Sequence, residues 1–380
     1  MGLRVLRGAR FAALARWVLV AAASAGTGML LLAALGWALA HPHRPSDAAV
    51  RLVWCAVPVV VTVQFAVAAG RAVPGGWPRA GLAAVGLGRA GVALLAASAT
   101  AIACAAGSAV ALLVFLHLRG DLGGLPFHGA ASDVLGGGGS VPLAGALTLL
   151  AVVPVSAAVT GAARLWPPRT VSTAPAPAEV SATAPPKGLP WGVALTAVGL
   201  AAEVAAPHGH GMPLPGGLGS IAPLALGGWA VATVGMVLAG PGVVHACGRL
   251  LAAFRPGALR LLAGRALQEE SRAIGRPLGA LCATAAAVPA VYDLHRGGRP
   301  FGPLTALAAV LVVLCVLATV GTALLEAKRG REPANAALRQ FGASPALLRG
   351  AVALRAGVVL AAAVPLTALV AALATVPPGR

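Results

Sequence analysis

Charge is scarce in this chain. Asp, Glu, Lys and Arg make up 10% of its 380 residues, whereas a soluble domain carries roughly 25%. That is too little polar surface to coat a water-soluble globule. Aromatic residues are also few, at 4% with a single tyrosine, so stacking platforms for nucleic-acid bases are missing, and no DNA-binding motif is present. The formal charge of +18 therefore needs an explanation other than nucleic acid. Five cysteines, Cys55, Cys104, Cys247, Cys282 and Cys315, lie in or beside apolar runs with no C-x-x-C pair. Neither a disulfide framework nor a zinc site is indicated. Catalytic signatures are missing as well: there is no G-x-x-x-x-G-K-[ST] loop, no G-x-S-x-G elbow, no H-E-x-x-H and no acid pair within an apolar run. The run Gly136 to Gly139 has no lysine after it and reads as a flexible turn. The chain is expected to be no enzyme and to hold no metal or cofactor.

What the chain does have is hydrophobic length. Hydrophobic residues make up 58%, and they come in runs at 17–40, 51–69, 90–118, 141–163, 191–206, 221–247, 277–292, 303–325 and 351–374. A bilayer core needs about 20 residues of helix, so the expected fold class is all-α, a polytopic transmembrane helix bundle of about nine spans. The runs 191–206 and 277–292 are marginal, at about 24 Å each for a rise of ~1.5 Å per residue. Placing the N-terminus in the cytoplasm puts 22 of the 28 basic residues on the inside; Arg44, Arg51, Arg119, Arg296, Arg299 and Arg380 fall outside. This follows the positive-inside rule. The basicity then reads as a topology determinant and as contact with anionic lipids of a plasma (cytoplasmic) membrane. The first apolar run is too long for a signal peptide and reads as an uncleaved helix.

The layout repeats. Residues 1–163 read as a first four-helix unit, 164–190 as a tether rich in Pro, Ala, Ser and Thr, 191–248 as a two-helix spacer, and 249–380 as a second unit of three helices. Both units start on the cytoplasmic side, a parallel duplication.

Two places could carry function. Glu203 is the only acidic residue inside a predicted span, where ionisable groups are costly. With His208, His210 and Met212 in the loop that follows, it forms a polar site suited to a proton or a soft metal; the plainer reading is a carboxyl reaching the outer interface. The second place is the inside loop 326–350. Lys328, Arg329, Arg331 and Glu332 form a charge cluster, Pro333 suits the first turn of a short surface helix over 334–341, Gly342 ends it, and Ser344-Pro345 caps the last span.

That loop resembles a known family. Glu326-x-Lys328-Arg329-x-Arg331-Glu332, followed by Ala337-Leu338-Arg339-Gln340-Phe341-Gly342-Ala343-Ser344, is similar to the charged run and the turn of FtsX-like (MacB-type) ABC permeases. A partial match lies at Arg79 to Arg89, and Leu259 to Arg276 resembles the amphipathic segment that precedes such a unit. The layout is similar to the ten-helix, duplicated members, without the last helix and the large extracytoplasmic domain. The resemblance implies the membrane subunit of an ABC-type transport or mechanotransmission system. A separate cytoplasmic ABC ATPase would dock on a coupling loop comprising Arg331, Glu332, Leu338, Arg339, Gly342, Ala343 and Ser344, and the subunit would pair as a homodimer or with another permease. Two other readings stand beside it: an ion-gradient-driven carrier using Glu203, His208 and His210, and a non-transporting degenerate permease or scaffold.

Overall fold

The computed structural model describes residues 2–71, 89–121, 129–135, 141–165, 186, 188–206, 212–213, 220–253, 257–296 and 302–374. Most of the tether, the loop 72–88, the glycine run 136–139 and the histidine loop lie outside them. The described elements are α1 Gly2–Ala40, α2 Pro45–Arg71, α3 Arg89–Arg119, the one-turn α4 Ser132–Leu135, α5 Leu143–Leu165, α6 Leu189–Val204, α7 Pro223–Ala253, α8 Ala258–Arg296, α9 Pro303–Gln340 and α10 Pro345–Ala374. A two-residue antiparallel pair, β1 Met212–Pro213 with β2 Ser220–Ile221, lies between α6 and α7. The chain is an all-α, polytopic membrane-spanning helix bundle. Helix is the form that satisfies every backbone polar group within one segment, which lipid demands.

Among the described residues, seven helices are long and apolar enough to cross a bilayer: α1 (from Ala13), α2, α3 (from Leu94), α5 (to Ala163), α7, α9 and α10. The two runs flagged as marginal account for the difference from nine. Helix α6 is apolar but has 16 residues. The run 277–292 is the second half of α8, a 39-residue helix whose first half carries Arg260, Arg265, Glu269, Glu270, Arg272 and Arg276. The amphipathic segment and the apolar run expected as separate pieces are thus one helix. Proline is tolerated within the apolar helices, as at Pro58, Pro154, Pro241 and Pro365, because neighbouring helices and small local adjustments satisfy the freed carbonyl.

The chain forms two compact units. The first comprises 1–173 and 301–319, the second 174–300 and 320–380. Helix α9 thus contributes its first half to one unit and its second half to the other. In the first unit, Val20, Leu30, Phe65, Cys104, Val153, Leu311 and Cys315 share one buried cluster. Leu32, Phe115, Leu135 and Leu150 share another. Hydroxyls cross between helices here: Ser24 Oγ donates to the Cys104 carbonyl at 2.8 Å, the Thr27 and Thr62 hydroxyls meet at 2.8 Å, and Ser108 Oγ donates to the Leu150 carbonyl at 3.2 Å. At the end of α1, Arg51 stacks 4.1 Å over the Trp37 ring.

The second unit is assembled around α7. One face of α7 presents Gly228, Ala232, Gly235 and Ala239 to α6, where Gly192, Thr196 and Gly199 meet them. The other presents Met236, Gly240 and Gly248 to Gly279, Gly275 and Gly264 of α8. These approaches leave no room for side chains. A Cβ on Gly235 would lie 2.5 Å from the Thr196 nitrogen, and one on Gly279 would lie 2.9 Å from the Val237 Cα. Small residues in register allow backbones to approach where water supplies no hydrophobic drive. Helix α10 packs on α8 through Ala363 and Val370 against Cys282, Ala283 and Ala286, and through Ala351 against Ala263 and Leu267.

Candidate functional site

The first 15 residues of the loop 326–350 continue α9 and are not a short helix lying on a surface. The apolar stretch of α9 ends near Leu325. The remaining 15 residues, Glu326–Gln340, continue as helix for about 22 Å. Pro333 does not start a helix; it sits within one. The expectation followed the preference of proline for a first turn. The structure differs because a single proline removes one hydrogen bond, and its neighbours carry the helix across the gap.

The corner that follows is built by backbone chemistry. Gly342 adopts φ +88°, the left-handed conformation that glycine enters without a Cβ penalty. The Gly342 N–H donates to the Arg339 carbonyl at 3.0 Å and the Ala343 N–H to the Leu338 carbonyl at 2.9 Å, closing both orphan carbonyls in a Schellman motif. Two residues on, Ser344 Oγ accepts the Leu347 N–H at 3.2 Å, and Pro345 occupies the first position of α10. A C-terminal cap and an N-terminal cap thus meet across Ala343, which fixes the corner without help from packing. Phe341 stands at the corner with 89% of its surface exposed, and Glu332, Arg339, Gly342 and Ser344 are exposed around it. Leu338 and Ala343 are half-buried.

Arg331 is the one residue of the expected coupling set with an ion-pair partner among the described residues. Its Nη1 donates to Glu270 Oε2 of α8 at 2.8 Å. From α10, Arg355 brings Nη1 to 4.0 Å from the other carboxylate oxygen. One carboxylate from α8 thus gathers an arginine from each of two other helices. Burial pushes the Glu270 carboxyl above its ordinary range; the Arg331 and Arg355 guanidiniums pull in the opposite direction, and neighbouring Glu269 adds to the rise. Sequence reasoning counted Arg355 only as a basic residue and gave Glu270 no role. The available signal was the pair Glu269-Glu270, the only acidic residues in a segment holding six arginines.

The other expected site is partly described. Trp229 Nε1 of α7 donates to Glu203 Oε1 at 2.6 Å, and Glu203 Oε2 is buried with no partner among the described residues. His208 and His210 lie outside the described residues, and of Met212 only the backbone pairing is described. No group of three or more His, Cys, Asp or Glu suited to a metal occurs among the described residues.

No protein-family model, curated protein or solved structure matches this chain.

Proposed function

We propose that this protein is the membrane subunit of an ABC-type transporter or mechanotransmission system, driven by a separate ATPase that docks on the α9–α10 corner from the cytoplasm. The observation that carries the reading is the corner itself. A helix about 57 Å long leaves its apolar stretch, continues into a charged extension, and ends in a doubly capped turn that exposes Phe341, with Arg339 before it and Arg349 after it in the chain also exposed. Exposed aromatic and arginine side chains on a rigid element are what a protein partner uses as anchors. Through Glu270, movement at the corner reaches α8 and α10 together, so the second unit would switch as a packed body between discrete arrangements. This chain has no nucleotide-binding motif, so the energy would come in trans. The membrane would be the plasma membrane and the N-terminus cytoplasmic, an orientation that the distribution of arginine supports.

The test is co-purification. The tagged chain, extracted from its native membrane, should bring down a nucleotide-hydrolysing subunit, and Arg339→Glu with Phe341→Ala should release it while the chain still inserts. If the wild-type chain carries no such subunit, the reading fails.

One observation favours a second reading. Glu203 Oε2, without a partner among the described residues and beside its Trp229 hydrogen bond, suits a carboxyl that takes up and releases a proton in a gradient-driven carrier. Transport by that route would stop with a protonophore and with Glu203→Gln, with no ATPase present.

A further inference from the structure

The cluster at Glu270 is short of negative charge. Two guanidiniums, Arg331 and Arg355, face one carboxylate. Arg331 has its hydrogen bond at 2.8 Å. Arg355 is only 9% exposed, and its polar contacts among the described residues are an Nε hydrogen bond to the Ala351 carbonyl at 3.1 Å and the 4.0 Å approach to Glu270. The second is too long for a hydrogen bond. Neither terminal nitrogen therefore has a hydrogen-bond acceptor among the described residues, and the side chain, 11% exposed, keeps an open edge. A half-desolvated guanidinium with an open edge and no acceptor is completed by an anion from outside.

The depth of Arg355 points to where the anion comes from. Ala356 to Ala374 are 19 consecutive uncharged residues, about 28 Å of helix, which matches the hydrocarbon thickness of ~30 Å. Arg355 thus marks the boundary at which the phosphate groups of a leaflet lie. Leu360, just over a turn into that stretch from Arg355, is an exposed apolar side chain of the kind that faces acyl chains.

We infer that Arg355 and Arg331, held by Glu270, form a binding site for one phosphate group, supplied by the headgroup of an anionic phospholipid. Guanidinium forks match phosphate oxygens in geometry as well as charge. Arg331, Arg355 and Glu270 together carry one positive unit, which a phosphodiester neutralises, while Glu269 beside them is exposed. Glu270 plays two parts: it positions Arg331 and competes with the phosphate for both arginines.

That dual part sets the test. The full-length protein is purified in detergent and titrated with phosphatidylglycerol, with phosphatidylcholine and with inorganic phosphate, and retained lipid is read by native mass spectrometry. Phosphatidylglycerol should bind at least tenfold more tightly than phosphatidylcholine. Arg355→Gln should lose most of that preference, whereas Arg339→Gln, at the exposed corner, should keep it. Glu270→Gln should bind phosphatidylglycerol several-fold more tightly, because the competing carboxylate is gone; a purely structural ion cluster predicts no gain. Displacement by inorganic phosphate at low millimolar concentration would keep the phosphate site and assign it to a soluble source. Equal retention by wild type and Arg355→Gln would overturn the site. Should Arg355→Gln not fold, Glu270→Gln decides alone: unchanged or weaker retention rejects the inference.

Discussion

Both compact units press glycines between helices, as at Gly36 and Gly107 in the first and Gly235 and Gly240 in the second, but they use their hydroxyls differently. In the first, hydroxyls reach across: Ser24 to α3, Thr27 to Thr62 of α2, Ser108 to α5. In the second, Thr196, Thr233, Thr284 and Thr367 each donate back to a carbonyl of their own helix. There the joining is done by glycine, along both faces of α7. The contrast shows two answers to one problem. Inside a bilayer, lipid is as apolar as leucine, so association must come from interhelical hydrogen bonds or from backbones brought near enough for dispersion to add up. Hydroxyl bonding tolerates some separation of the backbones; glycine packing does not. The second unit, which also carries the charged extension of α9, leans on such packing along both faces of α7.

The largest expected effect breaks that packing. Gly235→Leu and Gly240→Leu would each drive a side chain into the backbone of a neighbouring helix, costing ~3 kcal/mol or more, and the protein should lose its monodisperse, cooperatively melting form. Gly357, with nothing within 4 Å of an added Cβ, is the control: Gly357→Leu should stay within about 0.5 kcal/mol of wild type. Similar losses at all three positions would remove the distinction.

Next comes the corner. Gly342→Val forces a β-branched residue to φ +88°, a penalty of about 1–2 kcal/mol, while nothing lies close enough to clash. Thermal melting should fall modestly, and stimulation of a co-purified ATPase should fall far more than stability does. Loss in proportion to stability would mean that the corner is only a turn.

In the first unit, Thr62→Val should cost about 0.6–1 kcal/mol through the lost bond to Thr27. The double change with Thr27→Val should recover part of it, since two apolar partners leave no buried group unpaired. Thr284→Val in the second unit gives up only a bond within its own helix and should shift unfolding by a few tenths of a kcal/mol. Equal costs at Thr62 and Thr284 would erase the contrast between the units.

The smallest effect is a pH dependence. The carboxyl of Glu270 is held above its ordinary value of 4.5 by burial, against the pull of Arg331 and Arg355 and with a push from Glu269. A raised value in the folded state means that the folded chain takes up this proton more readily than the unfolded one. The stability it contributes is complete below about 4.5 and is lost as pH rises through the raised value. Measured against Glu270→Gln, wild type should therefore gain stability as pH falls from neutral toward 4.5. A constant difference across that range would show that Glu270 is not perturbed as the burial implies.

Much of this was legible from particular residues. The apolar runs gave the helices, and Gly342 with Ser344-Pro345 gave the corner, because capping is local chemistry written within a few positions. The continuity of α9 through Pro333 was not legible: whether a proline starts or merely interrupts a helix depends on turns to either side. The union of the amphipathic segment with 277–292 into one α8 was missed for a related reason. Charge pattern separates the two stretches in sequence, while the helix continues through Pro277 at their junction with the loss of one backbone donor.

By itself the sequence determined that this is a helical membrane protein, because long uncharged runs have no other stable home and lipid leaves the backbone no other partner. Tertiary structure alone decided which of fifty glycines are pressed between backbones and which stand in open space. It also decided that Arg331 and Arg355 converge on Glu270, 61 and 85 positions away in the chain. Those are facts about distance between helices, and residue spacing along one helix does not encode them.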